Sequence, residues 1–149
     1  MKLSILFALV ILASCAGSSS EERKNGYSDV PKNPEDSLFQ DVMDLHDQAM
    51  AKTRKLTGYR EQLNSKIDSL KKVKSPAKES LTKQYAELSN ELKQADDNMH
   101  EWMDKFSIDS AQDDTKRRIA YLESEKTKVS AVKDHIFAAL SKADSLLNK

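Results

Sequence analysis

The sequence predicts an all-α protein, an antiparallel up-down-up bundle of three helices with coiled-coil-like heptad packing. Two features of the composition support a helical fold. The 149 residues include only three glycines and three prolines, which the turns of a β-sandwich or barrel would require in larger numbers. Charged residues make up 32% of the chain, as is typical of long helices with solvated faces. The third observation is that apolar residues recur at alternating steps of three and four, which places them on one face of a helix.

A helix-start signature precedes each of three segments. Asn33-Pro34-Glu35-Asp36 combines a capping side chain, a proline for the first turn and acids that suit the positive end of a helix. Ser75-Pro76 repeats the signal, and Ser110 with Asp113 resembles a capping box. The bundle is therefore expected over residues 34–149, with helices at about 34–72, 76–106 and 110–148.

The apolar positions of these segments form one seam along each helix. A 3.5-residue period kept over four or more heptads is typical of helices that pack side by side with a left-handed twist. The seam of the second helix is unbroken, whereas the polar stretch 123–128 interrupts the seam of the third. That stretch has two interpretations, a thinner core and a surface for a partner. The seam residues are Val42, Leu45, Ala49, Leu56, Leu63, Ile67 and Leu70, then Leu81, Tyr85, Leu88, Leu92, Ala95, Met99, Trp102 and Phe106, and finally Ile119, Leu122, Val129, Val132, Ile136, Leu140, Ala143 and Leu147.

The short connections require antiparallel neighbours, and this determines which seam residues face each other. Between the first and second helices, Ala49 is expected opposite Met99. Between the second and third helices, Leu88 is expected opposite Val129. Periodicity alone allows a slip of one heptad, which the short loops disfavour. This register places His135 about 18 residues along the bundle from the level of Met99, or roughly 27 Å away.

The first fifteen residues have the layout of a secretory signal peptide. Lys2 supplies a positive charge, and residues 3–13 form an apolar run that is too short to span a bilayer as a helix, since about 20 residues are needed. The run ends in Leu12-Ala13-Ser14-Cys15, which resembles the lipobox of bacterial lipoproteins. Cys15 is the only cysteine of the chain, and it follows small residues that permit cleavage. Two other interpretations are an ordinary cleaved signal that contains a cysteine and an uncleaved anchor.

The lipobox resemblance implies that Cys15 is alkylated with diacylglycerol, that residues 1–14 are removed, and that the new amine is acylated. Two or more acyl chains, at about 0.8 kcal/mol for each buried CH₂, hold a protein stably on a membrane. Ala16 stands where the inner-membrane sorting signal would have an aspartate, so the resemblance favours the outer membrane of a bacterial envelope over the inner one. Residues 15–33 then form the lipidated N-terminus and a tether, for which the small and charged side chains predict flexibility.

Four residues of the first and second helices form the candidate binding site. His46 and Met50 lie one turn apart in the first helix, as do Met99 and Met103 in the second, and the register brings all four to one level. Thioethers with an imidazole select Cu(I), and a His–Met pair also serves as the axial ligands of haem. Methionine equally fills irregular core space beside aromatic residues such as Trp102, and Met99 occupies a seam position, so packing explains the same residues.

Other chemistry has little support in the sequence. Lys and Arg total 24, as do Asp and Glu, so the chain lacks a basic field for nucleic acid. A single cysteine excludes intramolecular disulfides and Cys-based zinc sites. The sequence has no Ser–His–Asp ordering, no phosphate-binding glycine loop and no HExxH helix, so we expect no enzymatic activity and no cofactor.

The bundle segment resembles small helical bacterial lipoproteins labelled viral A-type inclusion protein. The resemblance runs through Leu45-His46-Asp47, residues 99–106 and Tyr121-Leu122-Glu123, and it implies a coiled-coil-like helical protein with no particular activity. The predicted function is a membrane-tethered, non-enzymatic helical interaction or structural module, with an envelope protein as its partner. The alternative is a small Cu(I)- or haem-binding lipoprotein that uses the His/Met cluster.

Overall fold

The computed structural model describes Pro31 and residues 33–148, which form three helices joined by two connections. Each helix packs against the other two, and this confirms the predicted all-α three-helix bundle. The helices are α1 (Pro34–Lys71), α2 (Lys78–Lys105) and α3 (Thr115–Leu147).

Several predictions for the N-terminal region concern residues that the structure does not describe. The predicted signal peptide, the lipid attachment at Cys15 and almost all of the predicted tether lie outside the described residues. Within the described part, none of the helices combines the length and the apolar character that crossing a membrane requires.

The start of α1 follows the sequence prediction. The Asn33 side chain accepts a hydrogen bond of 2.8 Å from the backbone N–H of Asp36, and Pro34 occupies the first turn. Glu35 and Asp36 place negative charge at the positive end of the helix. These contacts satisfy backbone donors that the first turn of a helix leaves free.

The start of α2 lies two residues later than predicted. Ser75 and Pro76 belong to a turn before the helix, where the Ser75 hydroxyl accepts a hydrogen bond from the backbone N–H of Ala77. Ala77 then stands at the cap position and has no side-chain capping bond. The Ser-Pro signal therefore marked the turn that leads into α2 and not its first residue.

The predicted start of the third helix at Ser110 is wrong, because α3 begins at Thr115. Asp114 is the capping residue, and its carboxylate accepts a hydrogen bond of 2.9 Å from the backbone N–H of Arg117. Residues 107–114 instead form consecutive turns, and Ala111 adopts a positive φ of 57°. Asp113 pairs with the Arg117 guanidinium at 2.7 Å and does not complete a capping box with Ser110.

Most of the fully buried apolar residues belong to the predicted seam, and Ala139 is an addition to it. In each helix the fully buried apolar side chains follow the heptad pattern, which is the expected result when three amphipathic helices share one core. Among the residues that the structure describes, three polar side chains are also buried, namely Ser89, Arg118 and Glu125. The apolar residues with no exposed surface are Val42, Ala49, Leu56, Leu63, Leu92, Ala95, Met99, Leu122, Val129, Ile136, Ala139 and Ala143.

The observed contacts between α1 and α2 agree with the predicted antiparallel pairing. His46 contacts Met103, and the Ser89 hydroxyl lies 3.3 Å from the side-chain oxygen of Asn64. Both contacts are close to the alignment of α1 and α2 in which Ala49 lies opposite Met99. The short connection of residues 72–77 disfavours the slip of one heptad that periodicity alone would allow.

The predicted register of α3 against α2 is wrong. Asn98 lies 3.2 Å from the Nδ1 atom of His135, whereas the predicted pairing of Leu88 with Val129 would put position 119 opposite Asn98. The contact of Trp102 with Glu125 also departs from the predicted alignment of α2 and α3, in the same direction but by fewer residues. Helix α3 is thus shifted along α2 by about 10–16 residues, or roughly 15–24 Å. The predicted distance of about 27 Å between His135 and the level of Met99 is therefore also wrong, because His135 contacts Asn98, the residue next to Met99.

Ion pairs and hydrogen bonds between α1 and α3 show that these helices run parallel. Lys126 pairs with Asp41 at 2.7 Å, and Lys55 pairs with Asp144 at 3.1 Å further along the same two helices. The Tyr59 hydroxyl also donates to Asp144. The hydrogen bond from Tyr59 lowers the pKa of Asp144, and the hydrogen bond from Lys55 lowers it further by a smaller amount. These groups are largely exposed, so they mark the register more than they stabilise the fold.

Candidate functional site

The candidate residues lie near the end of the bundle where α1 begins, α2 ends and α3 begins. Trp102 occupies a seam position on α2 and is buried, with 6% of its surface exposed. Met103 follows it on the flank of the seam and meets His46, which comes from α1. Glu125 of α3 reaches the same place from the other side. We refer to His46, Trp102, Met103 and Glu125 as the Trp102 cluster.

His46 makes three contacts that fix the position of its imidazole. The Nε2 atom lies 3.2 Å from the sulfur of Met103, and the Nδ1 atom lies 2.9 Å from a carboxylate oxygen of Asp47. The ring centroid is 5.7 Å from that of Trp102, with the two planes inclined by 36°. The side chain of His46 is 17% exposed, so solvent reaches the imidazole without surrounding it.

The partners of His46 determine where its proton lies. An ionised carboxylate only accepts hydrogen bonds, so Nδ1 carries a hydrogen that it donates to Asp47. In the neutral imidazole Nε2 then has a free lone pair, and this lone pair faces the thioether sulfur of Met103. In the imidazolium form Nε2 instead donates to that sulfur, which is a weak acceptor. The neutral form therefore presents two electron-pair donors to one point.

The other two predicted ligands lie one helical turn away. Met99 is fully buried and belongs to the hydrophobic core, as its seam position predicts. Met50 is partly buried and packs against the same core. The structure thus brings His46 and Met103 into direct contact and places the other two thioethers on adjoining turns of α1 and α2.

A haem does not fit between His46 and Met103. Axial ligands lie on opposite faces of the macrocycle, with the iron and the porphyrin between them. Here the nitrogen and the sulfur are in contact at 3.2 Å, so a haem would need α1 and α2 to move apart. The pair is better suited to a single ion.

Sequence analysis missed the role of Glu125, which lies in the polar stretch of α3. Its carboxylate is buried and accepts a hydrogen bond of 2.9 Å from the indole N–H of Trp102. Lys128 binds the other carboxylate oxygen at 2.7 Å, and this hydrogen bond with Glu125 raises the pKa of Lys128. A lone buried tryptophan needs an acceptor for its N–H, and this requirement was the available signal.

Aromatic side chains and one arginine close this end of the bundle. Phe106 stacks on Trp102, with ring centroids 4.9 Å apart, and also lies 6.2 Å from Tyr121. The guanidinium of Arg118 sits 5.9 Å from the Tyr121 ring, and it donates a hydrogen bond to the carbonyl of Ser110. Arg118 is 4% exposed, so this contact ties the turn region to the core.

The remaining histidines do not join the cluster. His100 lies on the exposed side of α2, where it bonds to the backbone carbonyl of Asp96 at 2.9 Å. His135 bonds to Asn98. Among the described residues, no group of three or more His, Cys, Asp and Glu side chains is arranged to hold a metal ion.

Comparisons with protein-family models, curated proteins and solved structures found no match to this chain. The functional inference therefore depends on the pattern of the first fifteen residues and on the geometry of the bundle.

Proposed function

We propose that this protein is an exported bacterial lipoprotein, anchored to the envelope through Cys15, whose bundle acts as a non-enzymatic interaction or structural module. The observation that carries the proposal is the position of the lone cysteine. It directly follows an apolar run and the small residues Ala13 and Ser14, which is the arrangement that lipid attachment requires. Ala16 after the cysteine supports placement in the outer membrane.

The fold gives this proposal an orientation. Because α1 starts at Pro34, the tether joins the bundle at the end that holds the Trp102 cluster. That end would lie nearest the membrane, and the connection of residues 72–77 would lie furthest from it. Helix α1 extends for about 57 Å between the two ends. A module of this length would present its helix faces well beyond the lipid headgroups.

The surface of the bundle supports a role in polar, reversible contacts. Val73, Ile108 and Phe137 are the large apolar side chains exposed in the described part of the chain. They lie in the α1–α2 connection, in the α2–α3 connection and within α3, so they do not form one apolar patch. Charged side chains, many paired along one helix as Lys93 is with Asp97, cover the rest of the faces. Such a surface fits a wet interface with an envelope protein better than a permanent apolar one.

The anchoring step is tested by replacing Cys15 in a bacterial expression host. We expect wild-type protein to sediment with membranes and to carry a lipid-modified N-terminal cysteine by mass spectrometry. Cys15→Ser should give an unprocessed precursor or a soluble exported form. Ser14→Ala keeps a small residue before the cysteine and should leave processing unchanged. Membrane retention and lipid labelling that persist in Cys15→Ser would contradict the proposal.

A further inference from the structure

We propose that His46 Nε2 and Met103 Sδ form a binding site for a soft monovalent cation, Cu(I) being the cellular ion of that class. The site does not depend on lipid attachment, since all of its groups belong to the bundle. Imidazole nitrogen and thioether sulfur are donors that Cu(I) accepts, whereas Mg²⁺ and Ca²⁺ prefer oxygen. The chain offers this donor pair at the junction of α1 and α2.

The distance between the donor atoms suits one bound ion. With bond lengths like those of zinc sites, about 2.0 Å to nitrogen and about 2.3 Å to sulfur, the observed separation of 3.2 Å corresponds to an angle of roughly 95° at the ion. Opening the pair by about 0.5 Å would give the 120° angle, approximately, of a three-coordinate site. Both donors are on side chains at the flank of the seam, so a shift of this size leaves the core in place.

Asp47 acts as a positioning residue for this site. Its carboxylate accepts the Nδ1 hydrogen of His46 at 2.9 Å and so leaves the Nε2 lone pair directed at Met103. A carboxylate that orients a metal-binding imidazole in this way is a recurrent outer-shell arrangement. In the neutral imidazole this arrangement turns a nitrogen lone pair toward the sulfur of Met103, which gives two donor atoms for one ion.

Met50 is the best-placed third donor. It lies four residues after His46, on the same face of α1, and is only partly buried. Met99 occupies the corresponding turn of α2 but has no exposed surface and fills the core. The indole of Trp102 flanks the imidazole and shields one side of the site from water.

The test is anaerobic titration of the full chain, carrying Cys15→Ser in every sample so that no thiol competes. Trp102 is the only tryptophan, so quenching of its fluorescence reports binding beside His46. We expect one equivalent of Cu(I), supplied in competition with bicinchoninate, to quench it. His46→Ala and Met103→Leu should each weaken binding at least tenfold, and Asp47→Asn should weaken it by about 10–100-fold.

Matched controls separate a site from general perturbation of the bundle. Met99→Leu repeats the methionine substitution one turn along α2, and His100→Ala removes an exposed histidine. Both should bind Cu(I) within twofold of the parent. Circular dichroism checks that every variant is folded. If a variant does not fold, the ligands are identified by X-ray absorption of the Cu(I)-loaded parent. We expect both nitrogen and sulfur around copper.

Three results would overturn the assignment. One is failure of the parent chain to compete for Cu(I) at micromolar concentrations. The second is binding that survives in both His46→Ala and Met103→Leu. The third is a copper environment that lacks either nitrogen or sulfur. None of these results bears on anchoring at Cys15, which is measured separately by membrane fractionation.

Discussion

Glu125 is a buried charged residue of α3 that contacts Trp102 of α2. It stands three residues after Leu122 and four before Val129, so the helix period turns it inward despite its charge. A buried carboxylate is tolerated only when its oxygens are bonded, and here Trp102 and Lys128 supply the donors. The polar stretch of α3 therefore contributes a satisfied polar contact to the core, where sequence analysis had considered only a thinner core or a partner surface.

The Trp102–Glu125 hydrogen bond is expected to show strong coupling in a double-mutant cycle. Trp102→Phe leaves the buried carboxylate without its indole donor, at a cost of about 1–3 kcal/mol beyond the lost packing. Glu125→Leu leaves the indole N–H without an acceptor. The double variant removes both polar groups, so its free energy of unfolding should exceed the additive value by at least about 1 kcal/mol. Urea denaturation measures each corner of the cycle.

The control for this cycle is Glu123→Leu, an exposed position two residues earlier in α3. Combined with Trp102→Phe, it should give additive changes in the free energy of unfolding. Additive behaviour at Glu125 as well would contradict the structural contact.

Residue-level prediction succeeded where the helix period alone determines position. The predicted register brought His46 and Met103 to one level, and the structure places the two side chains in contact. The period could not reveal the contact between Asp47 and His46, because neighbouring residues on a helix point in different directions. Its contact with the imidazole depends on side-chain torsions that no sequence pattern encodes.

At the scale of elements, the helix bodies were predictable and one boundary was not. Ser110 and Asp113 have the spacing of a capping box, yet Asp114 competes for the same task and lies directly before the first helical residue, Thr115. The turns before it include Ala111 with a positive φ, a conformation that sequence rules assign to glycine or asparagine. An alanine at this position does not indicate a turn, so the sequence did not show that the helix begins later.

The position of the α3 cap leads to a direct stability test. Asp114→Ala removes the acceptor for the backbone N–H of Arg117 and should cost about 1 kcal/mol in the free energy of unfolding. Ser110→Ala, the residue that the sequence pattern favoured, should change it by less than about 0.5 kcal/mol. The carbonyl of Ser110 still accepts from Arg118 in that variant. The denaturant midpoints of the two variants distinguish a start of α3 after Asp114 from a start at Ser110. A larger loss of unfolding free energy in Ser110→Ala than in Asp114→Ala would contradict the structure.

At the scale of the whole molecule, the two helix–helix registers differ in how well local signals determine them. The register of α1 against α2 follows from a short connection and from the unbroken seam of α2, and it was predicted. The register of α3 was not, because residues 106–114 form a longer connection than expected and Glu125 interrupts the apolar pattern. A seam with a period of 3.5 residues can slide by whole heptads with little loss of apolar contact. The polar contacts of α3 determine which of these registers forms, and the apolar period does not predict such contacts.

The register of α3 can be measured through the ion pairs that connect it to its neighbours. Lys142 pairs with Glu91 of α2, and Lys126 pairs with Asp41 of α1. A zero-length carbodiimide joins only lysines and carboxylates in direct contact, so peptide mass spectrometry should find both cross-links. The register expected from the sequence would bring Lys142 near position 75 and closest to Glu79. Glu91→Gln should remove its cross-link with little change in melting temperature, because exposed ion pairs stabilise proteins weakly. A cross-link from Lys142 to Glu79 in place of Glu91 would contradict the observed bundle, because no single alignment of α2 and α3 brings both acids to that lysine.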